Sequence, residues 1–457
     1  MSANQGRVKL DGAELRRLLA LMLPLYVANL MYVGMGVIDT IVAGRAGDVD
    51  LAGVALGSAT AMPIIIALGA VLTIVGPMVS RFRGAGQFQN IGLVLNNAKI
   101  LACFLIAAAL VCIWAASFIF PFITDDPALA GVARDYMYML MLGVPAQIMV
   151  RVVQGHFEGF GQTRPALVLS VLSLLCNIPL NYLFVFGWGP IPAMGGAGCG
   201  LATAMIQWLN FSGLLGMMRF SSTHARYCRQ LLAMRAPVGA LCRRIFSLGL
   251  PMGIATLCEM SFFTVVTMVI APLGTVAVSS QQVAINVSGL IFMFPFSMGI
   301  AASIRGAFHI GARNRKAFDA MVRTVYVFMF SIVLVIMLGT IFLREPIVSL
   351  YTDSEEIVAL ASTLLVYCAA YQIPDAQQAL VGGLLRGCHD TKIITWVNLI
   401  NYWLVGFPLA CILIRTDWIV PAMGPAGAWV CFIITLTLTA VALSWRFSRT
   451  RVRVFCS

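Results

Sequence analysis

Charge is what this chain has least of. Only 11% of its 457 residues are Asp, Glu, Lys or Arg and 60% are hydrophobic, whereas a water-soluble domain carries about 25% charged residues. A soluble globular fold is excluded on that ground. Histidine is also scarce, with four in all. His224 and His389 fall in loops, and His156 and His309 at helix ends. No HExxH, GxSxG or GxGD run occurs, so the motifs expected of an intramembrane enzyme are missing and no enzymatic activity is expected. The twelve cysteines form no CxxC pair, and none lies in the body of an outer loop. They read as small hydrophobes rather than a disulfide framework. A signal peptide is not expected either, because the first apolar segment is too long for one and follows the polar stretch MSANQGRVKLDGAELRR.

Long apolar runs fill the space that charge leaves. A bilayer core of about 30 Å takes about 20 helical residues to cross. Twelve stretches qualify: 18–44, 51–79, 92–120, 132–155, 165–187, 198–218, 247–271, 277–304, 320–343, 358–385, 393–414 and 425–445. The expected fold is an all-α polytopic membrane protein of twelve transmembrane helices. Pro24, Pro63, Pro77, Pro145, Pro179, Pro251, Pro295, Pro374 and Pro408 lie inside these runs, which implies kinked helices packed on other helices.

The net charge of +12 is unevenly spread. Arg7, Lys9, Arg16, Arg17, Arg81, Arg83 and Arg164, a cluster over 219–244, another over 305–323, and Arg386, Lys392 and Arg446–Arg453 occupy alternate connections and both chain ends. The opposite connections hold only Arg45, Arg134, Arg344 and Arg415. By the positive-inside rule both termini are expected in the cytoplasm. Nucleic-acid binding is not expected, because the short basic loops offer no groove with stacking aromatics.

The chain repeats itself. Leu23-Pro24, Ala28, Leu30, Thr40, Val42, Gly47 and Gly84-Ala85 reappear 227 residues on as Leu250-Pro251, Ala255, Leu257, Thr267, Val269, Gly274 and Gly311-Ala312. PAMGGAG (192–198) reappears 229 residues on as PAMGPAG (421–427). Two parallel six-helix lobes are expected, 1–231 and 232–457, joined by a basic linker over about 219–246. Such internal repeats are typical of transporters, whose sites lie between the halves near mid-membrane. The linker stretch HARYCRQLLAMR could form a surface helix, and a solvated, lipid-facing tether is the preferred reading.

Of eighteen acidic residues, fifteen fall at loops or helix ends; Glu14 and Glu158 are placed on the inner side. Asp39, Glu259 and Asp375 remain within spans, with no Lys or Arg deep enough to pair obviously with them. A central Asp costs about 2.5–3.5 kcal/mol even on the lower scales, so an intramembrane acid is read as holding a proton or a cation. Tyr371 and Gln378 lie four and three residues from Asp375, on its helix face, and Pro374 frees the carbonyl of Ala370. Asn177 and Asn181 share a face in CNIPLNYLF. Their amides suit a hard cation or a hydrogen-bond network, and equally a helix–helix contact. Gln282 and Asn286 repeat the spacing. Phe262, Phe263, Phe292, Met293 and Phe294 are ordinary membrane-helix packing by composition, and candidates for an adaptable apolar wall by nearness to Glu259 and Gln282.

GMGVIDTIVAG (34–44), GAGQ (84–87), NIPLNYLFVFG (177–187), GGAGCGLATA (195–204), CEMSFF (258–263), VIAPLG (269–274), QQVAINVSGLIFMFP (281–295) and YQIPDAQQALVGGLLRG (371–387) resemble the multidrug and toxic compound extrusion family, in particular its NorM-type bacterial branch. The resemblance covers nearly the whole chain. It implies two lobes around a central cavity and sodium- or proton-driven export of cationic, often aromatic drugs or toxic metabolites from a bacterial inner membrane. It assigns Asp39, Asn177, Asn181 and Thr203 to a first-lobe polar site. Glu259 and Asp375, with Tyr371 beside them, become a second-lobe cation site that would take Na⁺. Gln282, Asn286, Phe263 and Phe292 are expected to line the cavity. No cofactor is implied beyond the coupling ion, and a monomer is expected. One departure is Asn181, where some branches carry a second Asp. The rival reading is a lipid-linked saccharide flippase of related architecture, whose anionic cargo would call for buried Arg or Lys, whereas the deep charges here are read as acids. A channel would be expected to oligomerise around a pore.

Overall fold

A computed structural model describes residues 12–233, 236, 238–418 and 421–456. Arg7, Lys9 and the linker's Arg235 lie outside the described residues. The spans are α1 (Gly12–Ala46), α2 (Asp48–Gly84), α3 (Phe88–Ala116), α4 (Pro127–Met141 and Val144–Gly159), α5 (Arg164–Phe186), α6 (Gly196–Phe220), α7 (Gly239–Leu273), α8 (Thr275–Gly311), α9 (Arg315–Phe342), α10 (Glu355–Gly387), α11 (Lys392–Arg415) and α12 (Pro425–Arg453). Each overlaps one apolar stretch of the sequence, although α3 stops at Ala116, short of the expected end at 120. A helix is the element that satisfies every backbone donor and acceptor internally where water is absent. Among the described residues no strand forms beyond an isolated bridge between Trp188 and Ile191.

The helices depart from ideality at identifiable residues. α4 bends by 43° between Met141 and Val144, where Gly143 precedes Pro145, whose ring cannot donate to the preceding turn. Pro24, Pro63, Pro179, Pro251, Pro295 and Pro374 sit inside helices. α11 widens to a π-helix over Leu399–Gly406, just before Pro408. α6 and α12 both start after a glycine with unusual backbone angles, Gly195 at φ 56°, ψ −139° and Gly424 at φ 57°, ψ −136°. These two are repeat mates within PAMGGAG and PAMGPAG, and only glycine adopts such angles without strain.

α8 lies along α10, α10 along α12, α1 along α5 and α2 along α4. The core of the first half, from Val42 to Leu231, also takes in Ile245 at the base of α7. A second-half core takes in Leu18, Leu21 and Met22 at the base of α1. Leu18 and Ile245 are repeat mates, so each half inserts the foot of its first helix into the other.

That interlock lies at the end carrying the basic connections. A Cβ on Gly84 would strike the carbonyl oxygen of Phe308, and one on Gly311 would strike that of Arg81. Both glycines and both carbonyls are repeat mates, which places the α2–α8 crossing on the axis relating the halves. Around it, Ser80 Oγ donates to the Ile304 carbonyl (2.7 Å) and Arg81 meets His389 Nδ1 (3.2 Å); farther along α8, Asn29 Nδ2 donates to Ser297 Oγ (3.1 Å). Arg305 holds both oxygens of buried Glu14 at 2.8 and 2.7 Å, with His309 at 3.2 Å.

The connection between the halves is not a free tether. Ala225–Leu232 is a helix that buries Tyr227, Cys228 and Leu231. Those residues share one face while Arg226 and Arg229 take another, so the segment is amphipathic and lies down. Lys99 Nζ donates to the carbonyls of Leu231 and Ala233, both at 2.8 Å.

Candidate functional site

α1, α5 and α6 bring the first polar group together. Asp39 Oδ1 accepts from Asn177 Nδ2 (3.0 Å) and Asn181 Nδ2 (2.7 Å), and Oδ2 accepts from Thr203 Oγ1 (3.1 Å). The asparagines converge because one helical turn separates them and Pro179 lies between. Their Oδ1 atoms are buried and unpartnered. The two amides therefore offer N–H groups to a bare carboxylate, and could turn carbonyls toward a cation held there. Asp39, Asn177 and Thr203 open onto a cavity of about 290 Å³ with Tyr32, Tyr136 and Gln207.

The second group draws on α7, α10 and α11. Gln378 Nε2 reaches Glu259 Oε1 at 3.4 Å, and Gln378 Oε1 accepts from Tyr402 Oη at 2.9 Å. Tyr402 sits in the π-helical turn of α11, a distortion that recurs at functional sites; nothing in the sequence singled it out. Asp375 is 4% exposed and its Oδ1 has no partner, and it shares a cavity with Tyr371 and Glu259. A buried, incompletely bonded carboxylate is stabilised by binding a proton or a cation.

Glu259, Tyr371, Asp375 and Gln378 line one cavity of about 460 Å³ between the halves. Phe263, Phe292, Met260 and Met293 supply its apolar wall, and Ile66, Ala70 and Thr73 of α2 close the far side. Two expected members stay out. Gln282 and Asn286 are exposed and bond each other at 3.3 Å; they sit within a turn of Ile285, which lines this cavity, but do not line it themselves. Phe262 stacks on Tyr402 at 5.2 Å, and Phe294 packs edge-on against Tyr26 at 6.0 Å, so both are packing residues.

A further correction concerns charge. Arg151 and Arg386 line the same cavity as Glu259 and Asp375, so the deep charges are not all acids. Glu158, assigned to the inner side from sequence, lines an adjoining recess with both arginines. Asp375, Ala379, Gly382 and Arg386 form one stripe of α10 at helical spacing. Gln147, Arg151, Gln154 and Glu158 form the matching stripe of α4, each residue 228 positions earlier in the chain.

The MatE family model matches residues 24–183 and again 251–412, two stretches whose starts lie 227 residues apart. The chain belongs to the multidrug and toxic compound extrusion family. It is a multi-pass membrane transporter, not an enzyme. It is 36% identical over 441 residues to the "Multidrug resistance protein MdtK" of Photorhabdus laumondii subsp. laumondii, covering 96% of each chain. It is 37% identical over 437 residues to the protein of that name from Yersinia pseudotuberculosis, covering 95% of each. Its fold matches a "eukaryotic MATE transporter AtDTX14" at a TM-score of 0.84, with 22% identity over 97% of this chain and 99% of that one. It also matches a family transporter described as in an "outward-facing conformation", at a TM-score of 0.83, with 20% identity and 99% of each chain covered.

Proposed function

We propose that this multidrug efflux transporter exports cationic amphiphilic and aromatic compounds from a bacterial cytoplasm in exchange for Na⁺ or H⁺, as a monomer whose termini are cytoplasmic. The 460 Å³ cavity carries the reading, with two acids on one wall and phenylalanines and methionines on another. Carboxylates attract an organic cation, and the soft apolar wall adapts to many shapes. The multidrug-resistance relatives support the same substrate class.

Exchange follows if ion and substrate compete for Glu259 and Asp375 while preferring different lobe arrangements, 1–231 against 232–457. The contacts at the basic end pin the halves together there, which supports access to the cavity from the opposite, extracellular side. Ion binding to Glu259 and Asp375, with Asp39 as a third neutralisable acid, removes the charge that holds the drug. The drug leaves, and the ion moves inward when the lobes rock. Purified protein in liposomes under separate sodium and pH gradients tests this. Uptake of a fluorescent organic cation is expected under at least one gradient, and none under either would refute the proposal.

A further inference from the structure

We infer that the seam between the halves at the basic end holds a binding site of its own, for a phosphate-type oxyanion, built from Arg81 of α2, Arg244 of α7 and His389 in the connection between α10 and α11. None of the three lines the central cavity, and the inference does not depend on what that cavity carries.

His389 stands where its repeat mate, 228 residues earlier, is Gly161. Both take left-handed backbone angles, Gly161 at φ 77° and His389 at φ 62°. Glycine enters that region freely, whereas a residue with a side chain must be held there by its surroundings. Arg81 Nη1 lies 3.2 Å from His389 Nδ1. A guanidinium only donates, so Nδ1 is the acceptor and the neutral ring carries its proton on Nε2. That Nε2 is buried and has no partner. A buried N–H without an acceptor is costly unless a ligand supplies one.

α7 brings Arg244 to the same place. Thr391 Oγ1 donates to the Leu248 carbonyl at 2.7 Å, which ties the connection to α7 one turn from Arg244, and the charges of Arg81 and Arg244 both act on the His389 ring. Neither arginine makes an ion pair among the described residues. The next residue, Asp390, is spent on α12: it accepts from Arg446 at 2.7 and 3.2 Å and from Thr450 at 2.7 Å. Two guanidinium groups and an imidazole N–H suit an oxyanion with several acceptor oxygens. Arg244 is exposed, so the site opens to the basic side, where free phosphate and the phosphate of a lipid headgroup offer the same chemistry. Arg81 belongs to one half and Arg244 and His389 to the other. An occupant gripping both favours the arrangement in which the basic ends touch.

Melting curves of the purified protein test this in two arms. Inorganic phosphate is titrated in detergent at constant ionic strength, and phosphatidylglycerol replaces part of the phosphatidylcholine in nanodiscs. His389→Gly removes the donor and fits the backbone its repeat mate uses, and Arg244→Gln removes an exposed charge, so both variants should fold. The wild type should show a saturable rise in Tm with phosphate, and each variant an apparent affinity at least about tenfold weaker. A rise confined to phosphatidylglycerol nanodiscs and lost in both variants assigns the same site to a lipid headgroup. No rise in either arm, or a rise that either variant retains in full, as general stabilisation by excluded phosphate would give, would overturn the site.

Discussion

The crossing of α2 and α8 offers a way to move the lobes by adding one carbon atom. Gly311→Ala places a methyl group where the Arg81 carbonyl oxygen now lies, and Gly84→Ala does the same against Phe308. Neither obstacle is a side chain that can swing away, so the helix ends must separate. Overpacking of this kind costs about 1–3 kcal/mol. The cost falls only on the arrangement in which the basic ends touch, so the equilibrium should shift toward separation by about 5- to 150-fold. The two substitutions act on one contact, so the double variant should show less than the sum. Spin labels at exposed Arg164 and Lys316, on a cysteine-free background, would read the distance between the halves. A longer-distance population should appear in Gly311→Ala and be scarce in the parent. An unchanged distribution in a normally folded Gly311→Ala protein would refute the view that this crossing closes the basic end.

Other substitutions have equally specific outcomes. Glu14→Ala strands buried Arg305 and should cost about 3–5 kcal/mol, measured as a drop in Tm; replacing both partners with apolar residues should recover much of it. Gly424→Ala forces a side chain into φ 57°, ψ −136° and should cost about 1–3 kcal/mol, read by the same melt. Asp39→Asn should weaken transport without a comparable stability loss, because Asn177, Asn181 and Thr203 keep an oxygen to bond, as a melt and a flux assay on one preparation would show. His389 lies in the connection after α10, where burial and then the charges of Arg81 and Arg244 push its imidazole down to about 3. A histidine ordinarily titrates near 6.5, so the unfolded chain takes up the proton first. The stability gained by keeping His389 neutral is present above about pH 6.5 and is lost as pH falls toward the folded value. Wild-type Tm should therefore fall more steeply on acidification than that of His389→Asn.

The legible part of the fold was the part that period and length determine. Twelve apolar runs gave twelve spans, because a helix of that length bonds its own backbone where water is absent, and the basic connections marked one end. The Asp39–Asn177–Asn181–Thr203 cluster was reachable through short motifs whose residues the family likeness brought to one place. Arg151, Arg386 and Glu158 were missed because each lies toward a helix end, where linear position suggests solvent. The signal was present as an i, i+4, i+7, i+11 stripe in two repeat-related spans, Gln147–Glu158 and Asp375–Arg386, and it needed the repeat to be aligned first. Gln282 and Asn286 were expected in the cavity; they sit within a turn of Ile285, which lines it, but are exposed and bond each other. The π-helical turn that delivers Tyr402 to Gln378 left no mark in the sequence beyond the proline after it, whereas the linker helix was legible in HARYCRQLLAMR but ranked below a tether.

The central claim is that Glu259 and Asp375 surrender an ion when they accept a drug. Counting both movements in one set of proteoliposomes tests it most directly, with a fluorescent organic cation followed beside radiolabelled sodium and a pH-sensitive dye. The wild type should move Na⁺ or H⁺ opposite to the drug in a fixed ratio, and Asp375→Asn and Glu259→Gln should lose that coupled movement. Coupled counterflow that survives undiminished in both variants would contradict the account.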